Sequence, residues 1–475
     1  MNPWWQAAGL GQDPTAWVAH DRVLRERSRW DLGYRSSILD DVARDPIDDR
    51  LVLVRGPRRV GKSVVLKDAV ATLCARPEVN PLQVIYVPVD GMRASDLNRV
   101  ATLGRELTRA VGPQPRVWLL DEITGITGWT ESVKYLRDNT DFGLDTVVCT
   151  GSSWDGRANT ERDLLAGRAG TSSTHRTRLV LPMTFRDYVR ATKRLLPEIP
   201  VVGPWDLQNV VAAGAASAVE LNVDALDLAW QSYLSCGGFP RAVAEHDRSG
   251  QVSQAFVADL AAWLHRDVDP DGGEDSVSLL LAALLRRSTS PLNRADTARV
   301  LGYANRQTFD VRINRLVRAF ATLWCHQVGV DGTRVEGAQS KLYLTDPLLG
   351  WLPALARAGM PEPDFTQLSE GALAVAVARA VDRAEPGRWV SNDSIGYLRT
   401  GSGNEIDFAP VPVRFGGSSV MTTPVESKWV SGGWRQEALT VEGKFGGGVL
   451  ATKDILDTGH LAWALPAPLV ALLLG

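Results

Sequence analysis

In the first third of the chain, short apolar runs alternate with longer mixed segments. "LVLVR" (51–55), "LQVIYVPVD" (82–90), "RVWLLD" (116–121) and "DTVVCTGSS" (145–153) are such runs, and "THRTRLVLP" (174–182) adds another. Runs this short and this rich in Val, Leu and Ile read as buried strands, and the segments between them read as helices. Strand–helix alternation predicts an α/β unit with a doubly wound parallel sheet. Further along, the period changes. "SVSLLLAALLRR" (276–287) reads as a helix. In "NRADTARVLGYANRQTFDVRINRLVRAF" (293–320) a short helix, a turn at Gly302 and a longer helix follow one another. Phe309, Ile313, Leu316, Val317 and Phe320 share one face of the longer helix, and Asn305, Thr308, Arg312 and Arg315 lie opposite. In the last quarter "FTQLSEGALAVAVARAVDRA" (365–384) is an amphipathic helix and "GYLRTGSGNEIDFAPV" (396–411) a hairpin. "TTPVESKWV" (422–430) alternates with period two, which puts Glu426 and Lys428 on one face of a strand.

The loop after the first run has chemistry that its neighbours lack. Gly56, Pro57, Arg58, Arg59, Val60, Gly61, Lys62 and Ser63 fit the phosphate-loop spacing, with a strand before and a helix after. Its backbone N–H groups would cradle phosphates at a helix N-terminus. Lys62 would neutralise the β and γ oxygens of ATP, and Ser63 would hold Mg²⁺. "RVWLLDEIT" ends in Asp121 and Glu122 at the C-terminal edge of a buried strand, where open α/β sheets bind ligands. Asp121 would support Mg²⁺ and Glu122 would polarise the attacking water. Ser152 or Ser153 would sense the γ-phosphate, or else form a turn.

Composition narrows the partners. The net charge of −3 over 475 residues and the pI near 6.1 exclude a protein basic over its whole surface, so nucleic-acid contact must come from a local patch. Between Arg286 and Phe320 eight arginines face two aspartates, a balance of +6. With "ATLWCHQVGV" and "KLYLTDPLL" as wing strands, the helix pair predicts a winged helix. Its second helix would either enter a DNA groove through Asn305, Thr308, Arg312 and Arg315 or act as a lid that touches no DNA. Cys74, Cys149, Cys236 and Cys325 are far apart and suit a reducing cytoplasm. The apolar end "LAWALPAPLVALLLG" has 15 residues and two prolines, too short and broken for a membrane span. The N-terminus lacks the order of a signal peptide.

"RGPRRVGKS", "LLDEIT", "TGSS", "AGRAG", "LPMTFRDYV" and "GGFPRAV" occur in the order seen in AAA-type ATPases of the bacterial and archaeal group, related to the STAND signalling ATPases. The chain resembles that group over roughly residues 35–455. The resemblance implies an N-terminal extension (1–34), an ATPase domain (35–204), a helical lid (205–270), a winged helix (271–355) and a PD-(D/E)xK nuclease-like α/β domain (356–475). It also implies that Arg168 approaches a γ-phosphate, either its own or that of a neighbouring subunit in a homo-oligomer. Gly238 and Pro240 would lie near the adenine, with Arg241 after them to read phosphate; from the residues alone Arg168 is equally a surface arginine and "GGFP" a tight turn.

In the last segment the order helix-Glu, strand-Asp, strand-Glu-x-Lys resembles the nuclease core, through Glu370, Asp407, Glu426 and Lys428. Asp407 and Glu426 would share Mg²⁺ or Mn²⁺, Lys428 would orient the attacking water, and Glu405 would stand behind. The alternative is a set of cross-strand ion pairs, and Thr366 stands where relatives often have glycine. Together these features predict ATP-dependent DNA processing or defence, in which ATP controls a nuclease. The rivals are a signalling switch whose nuclease fold only binds, with a protein partner as output, and a motor on branched DNA.

Overall fold

The computed structural model describes residues 2–153, 164–168, 176–194, 196–401 and 403–475. They fall into two compact units, Met1–Leu181 and Pro182–Gly475.

The first unit is built on a parallel sheet of β1 (Leu51–Arg55), β2 (Val84–Pro88), β3 (Val117–Asp121), β4 (Thr146–Gly151) and β5 (Thr177–Leu179), in the order β2-β3-β4-β1-β5. β1, β3 and β4 are buried along their whole length, which is why they read as unbroken apolar runs. The helix Lys62–Cys74 follows β1 and turns Val65, Leu66, Ala69, Val70 and Leu73 inward. Its outer face is tied to the N-terminal segment by Arg27–Asp68 and Lys67–Asp21 ion pairs at 2.6 and 2.5 Å. That segment, expected as an extension, packs into the unit. The Trp4 and Trp5 indoles both donate to the Val84 carbonyl of edge strand β2, at 2.8 and 2.9 Å.

The second unit opens with helices, among them Val223–Cys236, Gln254–Val268 and Ser276–Leu285. Arg294–Val300 and Arg306–Arg318 form the expected helix pair around Gly302, and the Asn305 side chain caps the second helix. The hairpin of β6 (Thr322–Gln327) and β7 (Ser340–Leu344) follows. Helix Phe365–Ala384 comes next, then β8 (Gly396–Arg399), β9 (Glu405–Ala409), the β10–β11 ribbon (Pro412–Phe415, Ser418–Met421) and β12 (Val425–Ser427). Helix Arg435–Phe445, β13 (Gly448–Thr452), β14 (Ala462–Pro466) and helix Ala467–Leu474 close the chain.

The β6–β7 hairpin does not stand apart as a wing. It pairs through β6 with β8, so one seven-stranded sheet runs β14-β13-β12-β9-β8-β6-β7. The boundary drawn from sequence at 355/356 therefore separates strands that share a sheet. Within it, β8, β9 and β12 form an antiparallel meander, and β13 lies parallel to β12 after a helical crossover. No helix among the described residues is long and apolar enough to cross a membrane.

Candidate functional site: a phosphate loop and a buried charge cluster

In the first unit β1 delivers the loop and β3 the acids, with β4 between them. Gly56 sits at φ 154°, and a Cβ there would lie 1.8 Å from the Val180 carbonyl oxygen, so no other residue fits. Arg59 and Gly61 also have positive φ and wrap the loop towards the N-terminus of helix Lys62–Cys74. Lys62 is buried, and its ammonium donates back to the carbonyls of Gly56 and Pro57 at 2.9 and 2.8 Å. Burial pushes it down to about 8, against the pull of Glu122 and Asp121. Its Nζ lies 3.8 Å from Glu122.

The acids are held by a residue that the sequence reading missed. Thr150, fully buried near the end of β4, donates its hydroxyl to Asp121 Oδ1 at 2.7 Å and accepts from the Glu122 N–H at 3.0 Å. Tyr86 on β2 donates to the other oxygen, Asp121 Oδ2, at 2.8 Å. Glu122 is at φ 60°, a left-handed conformation uncommon for a non-glycine residue, and the bond to Thr150 anchors it there. Ser152 is buried beyond Thr150 and Ser153 is exposed. The only signal for Thr150 was its place at the end of an apolar strand neighbouring the acid-bearing one.

Residues 48–189 match a family model described as an AAA domain. They form an AAA-type ATPase domain. A second model, described as a domain of unknown function (DUF8612), matches residues 228–361. No curated protein matches the chain. Among solved structures, the Walker-type ATPase PABY2304 of Pyrococcus abyssi is 16% identical at TM-score 0.39, over 70% of this chain and 95% of that one. RuvB of Thermotoga maritima is 14% identical at TM-score 0.29, over 64% and 89%. A DNA polymerase III gamma subunit-related protein of Thermotoga maritima is 12% identical at 0.25, over 59% and 99%. These likenesses are loose, and the assignment rests on the family match and the loop.

An AAA-type ATPase domain uses nucleotide with Mg²⁺. The Ser63 hydroxyl at the helix start and the Asp121 carboxylate fit that ion, being hard oxygen donors beside a phosphate loop. Arg168 is held inside its own unit. Its guanidinium pairs with Asp138 of helix Trp129–Asn139 at 2.5 and 2.8 Å, and its carbonyl accepts from Arg137.

The remaining predicted residues lie in the second unit. Gly238 donates its N–H to buried Asp346 at 2.7 Å, and a Cβ on Gly238 would sit 2.2 Å from the Met183 carbonyl oxygen. Pro240 begins helix Pro240–Ser249, and Arg241 pairs with Glu245 at 2.8 Å. Gly238 is thus packed closely within its own unit. The four residues expected on DNA have internal partners. Asn305 Oδ1 accepts from the Thr308 N–H and hydroxyl at 2.9 and 3.1 Å. Arg312 pairs with buried Asp269 at 2.7 Å and lies over the Tyr303 ring, and Arg315 donates to the Val268 carbonyl at 3.1 Å. Arg312 and Arg315 thus meet the C-terminal end of helix Gln254–Val268, while Asn305 and Thr308 bond to each other at the solvent-facing start of their own helix.

Glu370, Asp407, Glu426 and Lys428 do converge. Glu426 Oε2 accepts from the Asp407 N–H at 3.0 Å, and Asp407 Oδ2 accepts from the Ser427 N–H at 3.0 Å. Lys428 is half-buried, 3.6 Å from both Glu426 and Glu437. Glu370 accepts from the Tyr343 hydroxyl at 2.7 Å. All three acids are buried, which pushes Glu370 up to about 8 and raises Glu426, in each case with Asp407 adding to the effect. A fifth group, absent from the sequence reading, completes the cluster. Lys341 on β7 is fully buried, with its ammonium 2.8 Å from Asp407 Oδ1, 3.3 Å from Glu405 and 3.8 Å from Glu370. Its signal was a lysine inside "SKLYL", a strand otherwise apolar at its centre.

Proposed function

We propose that the chain is an ATP-hydrolysing switch. The phosphate loop and helix Lys62–Cys74 bind the triphosphate, Glu122 activates water, and the unit Pro182–Gly475 carries the output. The observation that carries this reading is the Asp121–Thr150–Glu122 arrangement, in which one hydroxyl orients both the metal-binding acid and the backbone of the proposed base. Glu122 leaves the strand in a strained conformation that turns it towards Lys62. Bound Mg²⁺ would neutralise phosphate charge, with Ser63 and Asp121 as its ligands, and Lys62 would exchange its two loop carbonyls for phosphate oxygens. The test is phosphate release from ATP by wild type, Lys62→Ala and Glu122→Gln, beside nucleotide binding. Wild type that binds ATP but never turns it over would overturn the hydrolase reading.

A second reading, DNA cutting by the C-terminal segment under ATP control, is favoured by its order of elements. A helix, a three-stranded meander, a helix and a parallel strand bring Glu370, Asp407, Glu426 and Lys428 together, as in a PD-(D/E)xK nuclease-like domain. The preceding helix pair and hairpin support a winged helix, whose exposed Arg286 and Arg318 remain candidates for phosphate. Incubation with linear, circular and branched DNA in Mg²⁺ or Mn²⁺, with and without ATP, tests it. Cutting that is lost in Glu426→Ala supports this reading, and intact DNA under every condition removes it.

A further inference from the structure

The buried charge cluster has the acids that a divalent metal needs, yet its geometry does not fit one. Mg²⁺ or Mn²⁺ requires carboxylate oxygens drawn in to roughly 2.0–2.2 Å, with room for water on the remaining positions. Here a protein cation already stands among the acids, since the Lys341 ammonium lies 2.8 Å from Asp407, 3.3 Å from Glu405 and 3.8 Å from Glu370, and most of the carboxylate oxygens face a donor or a cation. Asp407 Oδ1 faces Lys341, and Oδ2 holds the Ser427 N–H. Glu426 Oε2 holds the Asp407 N–H, and Oε1 faces Lys428. Glu370 Oε1 holds the Tyr343 hydroxyl.

Lys341 is not a surface side chain that has drifted inward. Its strand pairs residue by residue with β6, where Cys325 is its partner, and every residue of β7 is buried. Its ammonium also lies 5.4 Å from the Tyr397 ring centroid. Withdrawing it would bury an unpaired ammonium elsewhere or unzip the hairpin. The continuity of the sheet from β7 to β14 explains how a residue of the hairpin reaches acids of the C-terminal segment.

We propose that the Lys341 ammonium, fixed among Asp407, Glu370 and Glu405, takes the place of a catalytic divalent ion, so that this nuclease-like fold is a metal-free binding module. The proposal rests on reading the C-terminal segment as nuclease-like, and it is independent of whether the first unit hydrolyses ATP. It rejects cutting as the output and leaves the switch intact.

Mn²⁺ titration of the nucleotide-free full chain, followed by the loss of the free-ion spin-resonance signal, tests it. Wild type and Asp407→Asn should titrate alike, because the cluster of the wild type takes no ion. Lys341→Met removes the charge and keeps much of the stem. It should gain one Mn²⁺ site, about 100-fold tighter than any cluster binding in wild type, the upper end of what neighbouring groups do to metal affinity. The double variant Lys341→Met, Asp407→Asn should lose that site. A wild-type Mn²⁺ site that disappears in Asp407→Asn overturns the proposal, whether or not Lys341→Met folds. A folded Lys341→Met that gains no site also overturns it. ATP turnover measured on the same samples reports separately on the switch.

Discussion

Replacing Thr150 by valine is the sharpest test of the ATPase site, because it deletes one hydroxyl and keeps the shape of a fully buried side chain. Two hydrogen bonds go. The bond to Asp121 at 2.7 Å has a carboxylate acceptor, and the bond from the Glu122 N–H at 3.0 Å holds a strained backbone. A hydrogen bond to a charged group contributes about 1.5–3 kcal/mol and a neutral one about 0.5–1.5 kcal/mol, so the total at stake is about 2–4 kcal/mol. Part of this appears as lost stability, since the freed N–H and carboxylate oxygen lose a partner. The part that positions Glu122 and Asp121 for reaction appears in kcat. If half of the total is spent there, kcat falls about 5–30-fold, at 1.36 kcal/mol for each factor of ten. Nucleotide affinity should change little, because Lys62 and the loop carbonyls it holds are not touched. The assay is steady-state phosphate release, with binding of a fluorescent nucleotide and urea unfolding on the same preparation. Tyr86→Phe removes only the bond to Asp121 Oδ2, so it should raise the Mg²⁺ concentration needed for turnover more than it lowers kcat. A folded Thr150→Val with kcat within about two-fold of wild type, or with binding and turnover lost together, would refute the positioning argument.

Glu122→Gln should bind ATP as wild type does and lose about 100-fold or more in turnover, the usual scale for a removed general base, read by the same two assays. ATP affinity should fall as pH rises past about 8, because the empty loop's Lys62 then loses the proton that the triphosphate requires; titration calorimetry between pH 7 and pH 9.5 (roughly the window set by that shift) reads it, and a flat profile would oppose the burial argument. His326 is buried against Ser340 and held down to about 4 from 6.5 by burial, so its neutral form contributes stability that is present above 6.5 and lost as pH falls through 4. His326→Gln should flatten that acid limb by up to about 3 kcal/mol in urea unfolding. Arg312→Ala leaves Asp269 buried without its ion-pair partner and should cost about 2–4 kcal/mol of stability, while the salt slope of any DNA binding stays unchanged.

What could be read from sequence was local and contiguous. The loop from Gly56 to Ser63 and the Asp121–Glu122 pair are fixed by chain-neighbour geometry, a strand, a turn that only glycine permits and a helix start, and such geometry survives as spacing. Thr150 and Tyr86 reach the same acids across strand pairings, and nothing in "TVVCTG" or "VIYVP" states which strand lies beside which. The charged residues divide along the same line. Eight arginines in a short stretch look like a face for phosphate when only their sum is visible. In the fold Arg312 finds Asp269 and Arg315 finds a carbonyl at the end of helix Gln254–Val268, both more than forty residues back, because a helix that must bury Phe309, Ile313 and Leu316 also brings its flanks against neighbours. The C-terminal acids show the opposite limit. Their order in the chain predicted that they would meet, and they do. The lysine that meets them comes from the far edge strand β7, which the sequence reading assigned to another domain, so an arrangement that reads as a metal site from residues 370–428 closes as an ion-paired core once residue 341 is added.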